Sequence, residues 1–125
     1  MTDFKVRKFS QDEIICEEGS IGNVAYILTA GSVEISVDVK GQKKVLTALK
    51  PVTVFGVMAL VLKGNKRTAT ATALENVEVV EIDKEEFDEY IEKSPRVISA
   101  TLKTLVERLQ ETTSRLKKHE ELNMY

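Results

Sequence analysis

From about residue 13 to residue 82, apolar and polar side chains alternate in short runs broken by glycines at 19, 22, 31, 41, 56 and 64. A period of two with frequent glycine punctuation is the signature of antiparallel strands. The clearest run is "SVEISVDV". There Val33, Ile35, Val37 and Val39 share one face, and Ser32, Glu34, Ser36 and Asp38 share the other, as a half-buried strand requires. Lys40-Gly41 predicts a tight turn into "QKKVLTAL", and "EIICEE", "VAYILTA", "RTATATA" and "VEVVEI" read as further strands. The pattern predicts seven or eight strands closed into a roll or barrel.

Near Asp83 the period changes to 3.6. Asp83 and Glu86 have capping-box spacing, and Phe87, Tyr90 and Ile91 give a short helix one apolar stripe. Ser94-Pro95 ends it and starts another, with Ser94 as N-cap and Pro95 in the first turn. Within that last helix Ile98, Leu102, Leu105, Leu109, Thr112, Leu116 and His119 recur at alternating steps of four and three. Such a heptad seam predicts a parallel two-stranded contact between copies, the competing reading being a helix packed on its own barrel. The expected organisation is one domain over residues 1–125. It comprises a mainly β unit at about 10–82, a short helix at about 83–93 and a long helix at about 95–120.

Composition narrows the function classes. A chain of 125 residues, 42% hydrophobic and 30% charged, suffices for one modest core. A net charge of -2 gives no basic field for a nucleic acid, so direct nucleic-acid binding is not expected. The sequence shows neither a signal-peptide pattern after Met1 nor an apolar run near the roughly 20 residues that span a bilayer. A cytoplasmic protein without membrane contact is the expectation. Cys16 reads as a small buried hydrophobe. His119 has no second histidine or cysteine at ligand spacing, so neither a metal site nor a nucleophile–histidine pair is expected. Glu85, Glu86, Asp88, Glu89 and Glu92 crowd one short helix and read as a solvated face. No catalytic constellation emerges, and no enzyme is expected.

The candidate chemistry lies in "FGVMALVLKGNKRTATA", residues 55–71. A short helix starting after Gly56 would leave the amides of about Val57, Met58 and Ala59 without helical acceptors, and free amides at a helix start attract anions. Arg67 shares strand parity with Ala69, Ala71 and Ala73, whose small side chains leave room beside a planar cation suited to phosphate. The alternative is an exposed Arg67 paired with a surface glutamate.

This stretch resembles the phosphate-binding cassette of the cyclic nucleotide-binding domain, Phe-Gly-Glu-x-Ala-Leu, a short gap, then Arg-Thr/Ser-Ala. Upstream, "EEGSIGNVAYILTAGSVEI" is similar to the family's glycine-marked stretch, with Glu18, Gly19, Gly22, Tyr26, Leu28, Gly31 and Val33 at the matching places. Downstream, "RLQETTSRL" resembles the long dimerisation helix of the bacterial cyclic AMP receptor branch. The resemblance implies an antiparallel β-roll, a jelly-roll-like double-stranded barrel, with flanking helices. It also implies that Arg67 neutralises a cyclic phosphate, and that Thr68 and the amides of Gly56, Val57, Met58 and Ala59 bond its oxygens and the ribose. Thr112 and Thr113 stand where the receptor branch places two hydroxyls against the purine.

Two departures accompany it. Val57 replaces the cassette glutamate that accepts from the ribose 2'-hydroxyl, and the receptor branch continues into a helix-turn-helix whereas this sequence ends at Tyr125. The implied function is a cyclic-nucleotide-responsive regulatory domain, cyclic AMP before cyclic GMP, working as a homodimer through Ile98, Leu102, Leu105, Leu109 and Leu116. The alternative is a degenerate fold that serves as a dimerisation or protein-contact module, taking no nucleotide or a different small ligand.

Overall fold

The computed structural model describes residues 5–61 and 64–123, without the side chains of 113, 116, 117 and 119–123. Among the described residues, eight strands run in the order β1 (Lys5–Phe9), β2 (Ile14–Cys16), β3 (Val24–Ala30), β4 (Val33–Val39), β5 (Gln42–Leu49), β6 (Thr53–Phe55), β7 (Thr70–Ala73) and β8 (Val77–Asp83). They form two four-stranded sheets, β1-β8-β3-β6 and β2-β7-β4-β5, in which every pairing is antiparallel. Three helices accompany them: α1 (Met58–Val61), α2 (Lys84–Lys93) and α3 (Arg96–Asn123).

The expected β-roll is present, and it opens earlier than expected. β1 lies before residue 10 and pairs with β8 from Lys5 opposite Glu81 to Phe9 opposite Val77. Only Phe9 of its five residues is buried, so the strand carries almost no apolar alternation. β6 was likewise too short to show a period. The turn between β4 and β5 is as predicted, with Lys40 and Gly41 at φ of 52° and 81°, the pair of left-handed residues that a two-residue hairpin demands.

The apolar face of β4 supplies Val33, Val37 and Val39 to the interior, but Ser36, expected outside, is 4% exposed. The register with β5 slips there, Ile35 opposing Thr47 and Ser36 opposing Val45, so strict alternation fails at that point. Between the sheets, Phe9, Tyr26, Leu28, Val33, Phe55, Val77 and Val79 form the core with Ala71 and Ala73.

α2 begins as the capping spacing predicts, Asp83 Oδ1 accepting from the Glu86 amide at 2.8 Å. Ser94 behaves differently from its expected role. Its amide and its Oγ both donate to Ile91 O, at 3.1 Å and 2.7 Å, so it closes α2 and does not cap α3. Pro95 opens α3, its carbonyl accepting from Ile98 and Ser99.

α3 docks on the roll through Val106, which is 7% exposed, and the half-buried Leu102. Ile98, Leu105 and Leu109 remain 56–57% exposed on the adjoining face. The helix therefore carries both faces that the sequence offered as alternatives. Leu102 marks their border, and Val106, one step off the heptad, belongs to the inward face only.

Candidate functional site

Two distant glycine-marked stretches meet at Arg67. The loop of residues 18–22 lies against 65–67 through three backbone bonds: Gly19 N to Arg67 O at 2.8 Å, Arg67 N to Ser20 O at 2.8 Å, and Gly22 N to Asn65 O at 2.9 Å. Arg67 therefore sits before β7, in a bent segment, and not on the strand with the alternating alanines. That is a correction to its expected parity. Its backbone is spent on the loop, so the strand begins only at Thr70.

The Arg67 side chain is 5% exposed, which rules out the surface-pair alternative. Nη2 donates to Val24 O at 2.7 Å and Nη1 to Gly56 O at 3.1 Å, while the guanidinium lies 5.6 Å over the Tyr26 ring. Tyr26 is itself stacked on Phe55 at 5.1 Å, so the cation rests on an aromatic floor fixed from below. Gly22 completes the seat: a Cβ there would overlap the guanidinium. Among the described residues no carboxylate forms an ion pair with it. Two hydrogen bonds to carbonyls leave donors for an anion, because a guanidinium carries five N–H groups.

Beside it Gly56, at φ 80°, turns the chain into α1. Leu60 N and Val61 N both donate to Val57 O, at 2.9 and 3.2 Å, so the amides of Val57, Met58 and Ala59 precede the first helical bonds. α1 is secured at its far end by Lys84, whose Nζ donates to Leu60 O at 3.0 Å and pairs with Asp88 at 3.2 Å.

These parts frame a cavity of about 330 Å³. Gly56, Val57, Met58 and Ala59 form one wall, Arg67, Thr68, Ala69 and Ala71 another, Cys16 and Ile35 the back, and Leu102, Val106 and Leu109 of α3 the lid side. Thr68 Oγ1 lies 3.5 Å from Met58 Sδ, a weak contact that leaves its hydroxyl able to turn to a ligand. Burial pushes the Cys16 thiol above its ordinary value, with the Arg67 charge opposing the rise; the side chain, expected to be buried, is half-buried. The same two influences act on the Tyr26 hydroxyl, again with burial the larger.

The structure thus brings together Gly56, Val57, Met58, Ala59, Arg67 and Thr68. Thr112 is not among the cavity residues: it is exposed, and its Oγ1 donates back to Arg108 O at 2.9 Å. The Thr113 side chain lies outside the described residues. A second groove connects Arg67 and Thr68 with Gln110 and Ser114 of α3, neither of which the sequence reading singled out. Cys16, Ile35 and Val106 were also missed as lining, and only the step of four from Leu102 to Val106 gave any hint. Among the described residues, no His, Cys, Asp and Glu side chains gather to hold a metal, and no helix is long and apolar enough to cross a membrane.

The structure is a β-roll whose cavity is lined on one side by α3 and holds the buried Arg67, with no carboxylate ion-paired to it among the described residues. The chain belongs to the cyclic nucleotide-binding domain family, whose model matches residues 6–94. It is 30% identical over 109 residues to the cyclic AMP receptor protein of Thermus thermophilus, covering 86% of this chain and 50% of that one. A CRP-like cAMP-activated global transcriptional regulator of Mycobacterium tuberculosis is 28% identical over 109 residues, with 86% and 48% covered. The chain thus spans about half the length of these receptor relatives. Among solved structures, the EAL enzyme Bd1971 in its cGMP-bound form superposes with a TM-score of 0.80 at 29% identity, covering 94% of this chain and 32% of that one. The Thermus thermophilus catabolite activator protein gives 0.74 at 29%, covering 94% and 55%.

Proposed function

We propose that this domain is a regulatory sensor whose cavity takes a 3',5'-cyclic nucleotide, cyclic AMP before cyclic GMP, and transmits occupancy to a dimer formed by α3. One observation carries the reading: the Arg67 guanidinium is buried beside the start of α1 with no carboxylate partner among the described residues. A cyclic phosphate bears one negative charge, which would complete that cation without displacing both of its carbonyl partners. The amides of Val57, Met58 and Ala59 and the hydroxyl of Thr68 would take its remaining oxygens. Preference for cyclic AMP rests on the receptor relatives named for it and on the resemblance that sets Thr112 and Thr113 against the purine, one from each side of the dimer.

The route from ligand to dimer is short. Leu102, Val106 and Leu109 line the cavity on one side of α3, and Ile98, Leu105 and Leu109 form its exposed apolar seam. A ligand that fills the cavity packs against the helix carrying the seam and so favours one helix geometry over another. Thermal denaturation tests binding. Ligand at 100 times its dissociation constant adds about 2.7 kcal/mol, a rise on the order of 10 °C for a domain of this size. No rise with millimolar cyclic AMP or cyclic GMP would sink the proposal.

The apolar Val57 favours a second reading, a module that dimerises or meets another protein without nucleotide. That reading gains if sedimentation shows a stable dimer while neither nucleotide alters the melting temperature.

A further inference from the structure

A separate open hollow, of about 680 Å³, lies on the sheet β2-β7-β4-β5 beside the loop at 17–19. Its chemistry is opposite to that of the Arg67 cavity. Carboxylates line it at Asp12, Glu17, Glu18 and Asp38, against one cation, Lys43, whose Nζ is paired with Glu34. Glu18 and Asp38 are committed within the protein, accepting from the amides of Asp38 at 2.7 Å and Gly41 at 3.3 Å. The exposed side chains of Asp12 and Glu17 have no hydrogen bond or ion pair among the described residues.

Ser36 adds an independent sign of a ligand. It lines the same hollow and is 4% exposed, yet its hydroxyl has no hydrogen-bond partner among the described residues. A hydroxyl so placed is ordinarily bonded, and this one is free to accept from a donor arriving in the hollow. Ser36 stands where β4 slips register against β5, an irregularity that re-aims side chains. Ile14, 50% exposed, adds apolar surface to the lining. A matching ligand carries positive charge, several N–H donors and aliphatic length. A primary alkylammonium meets all three requirements, with three donors on a compact head and a methylene stem that covers apolar surface. A metal ion fits less well, because no three His, Cys, Asp or Glu side chains gather among the described residues.

We propose that this hollow binds a primary alkylammonium group, from a free polyamine or from a lysine side chain, with Asp12, Glu17 and Ser36 as its polar partners. The site is separate from the Arg67 cavity and does not depend on the cyclic-nucleotide reading. The two are neighbours, since Gly19 borders the hollow and donates its amide to Arg67 O at 2.8 Å.

Calorimetric titration of the full chain with spermidine and, separately, with a capped tri-lysine peptide tests the site, at about 0.15 M ionic strength so that diffuse attraction is screened. Saturable binding is expected. Spermidine alone binding assigns a free polyamine, and the peptide alone binding assigns the lysines of a partner protein. Heat from neither at millimolar concentration overturns the proposal. The double variant Asp12→Asn, Glu17→Gln changes exposed positions only, and asparagine tolerates the φ of 73° at residue 12. Its affinity should fall at least roughly tenfold. The control Glu85→Gln, Glu92→Gln removes the same charge from α2 and should stay within about twofold of the wild type. An equal loss in both pairs would show that net charge alone attracts the cation, and would overturn the proposal. Ser36→Ala keeps every charge and should weaken binding about three- to tenfold. Unchanged affinity in that variant, with its fold verified by circular dichroism, would contradict the assigned site.

Discussion

Arg67 shows how much of a site a single residue type reveals. An arginine before a small-residue strand, after a glycine-opened helix, was legible as an anion partner, because few other side chains match phosphate geometry. Its support was not legible, since Gly22, Tyr26 and Val24 lie some forty residues earlier and touch it only through the fold. Gly22 illustrates the difference: the sequence marks it as one glycine of a motif, while the structure gives it the task of leaving space for the guanidinium. Gly22→Ala should therefore push Arg67 off its two carbonyls. The expected cost is about 1.5–3 kcal/mol of stability, with a loss of at least tenfold in cyclic AMP affinity. Melting temperature and calorimetry check the two effects, and wild-type values for both would show that the seat is unimportant.

The long helix was legible as an element and ambiguous in its use. Its heptad predicted a partner, its length allowed docking, and the structure shows that it has a face for each. Periodicity could not separate them because Leu109 lines the cavity and also belongs to the exposed seam, and the docking residue Val106 is displaced by one step from the seam. The strands divide in the same way. β3, β5 and β8 begin where their alternation begins, whereas β1 and β6 are held by pairing to neighbours and carry too little apolar pattern to be found alone. Ser94 was misassigned because a hydroxyl between two helices can serve either end, and the side chain's choice of Ile91 O is a tertiary outcome. The seam makes its own prediction. Leu105 is 57% exposed, and in a parallel dimer two copies would be buried at about 1.5–3 kcal/mol each. Leu105→Glu should weaken association by roughly a hundredfold or more. Sedimentation would show this as a monomer at concentrations where the wild type is dimeric, with the cavity still able to bind cyclic AMP. A sedimentation profile identical to the wild type's would place the contact elsewhere.

At the scale of the whole molecule, the roll forms most of the cavity and Leu102, Val106 and Leu109 of α3 line its remaining side. Two sets of hydrogen bonds tie the parts around the cavity to one another: the 18–22 loop bonded to 65–67, and Lys84 reaching from the start of α2 to α1. Occupancy of the cavity, position of α1 and placement of α3 are thus parts of one packed unit, which is what a sensor requires of a small domain. The central claim is that the buried charge of Arg67 holds the ligand's phosphate, and calorimetric titration of cyclic AMP into the wild type and into Arg67→Gln tests it most directly, with circular dichroism to verify that the variant is folded. The account predicts one site per chain in the wild type and an affinity at least a hundredfold weaker in the variant, since two charge-assisted hydrogen bonds are lost. Equal affinity in a folded variant would contradict it.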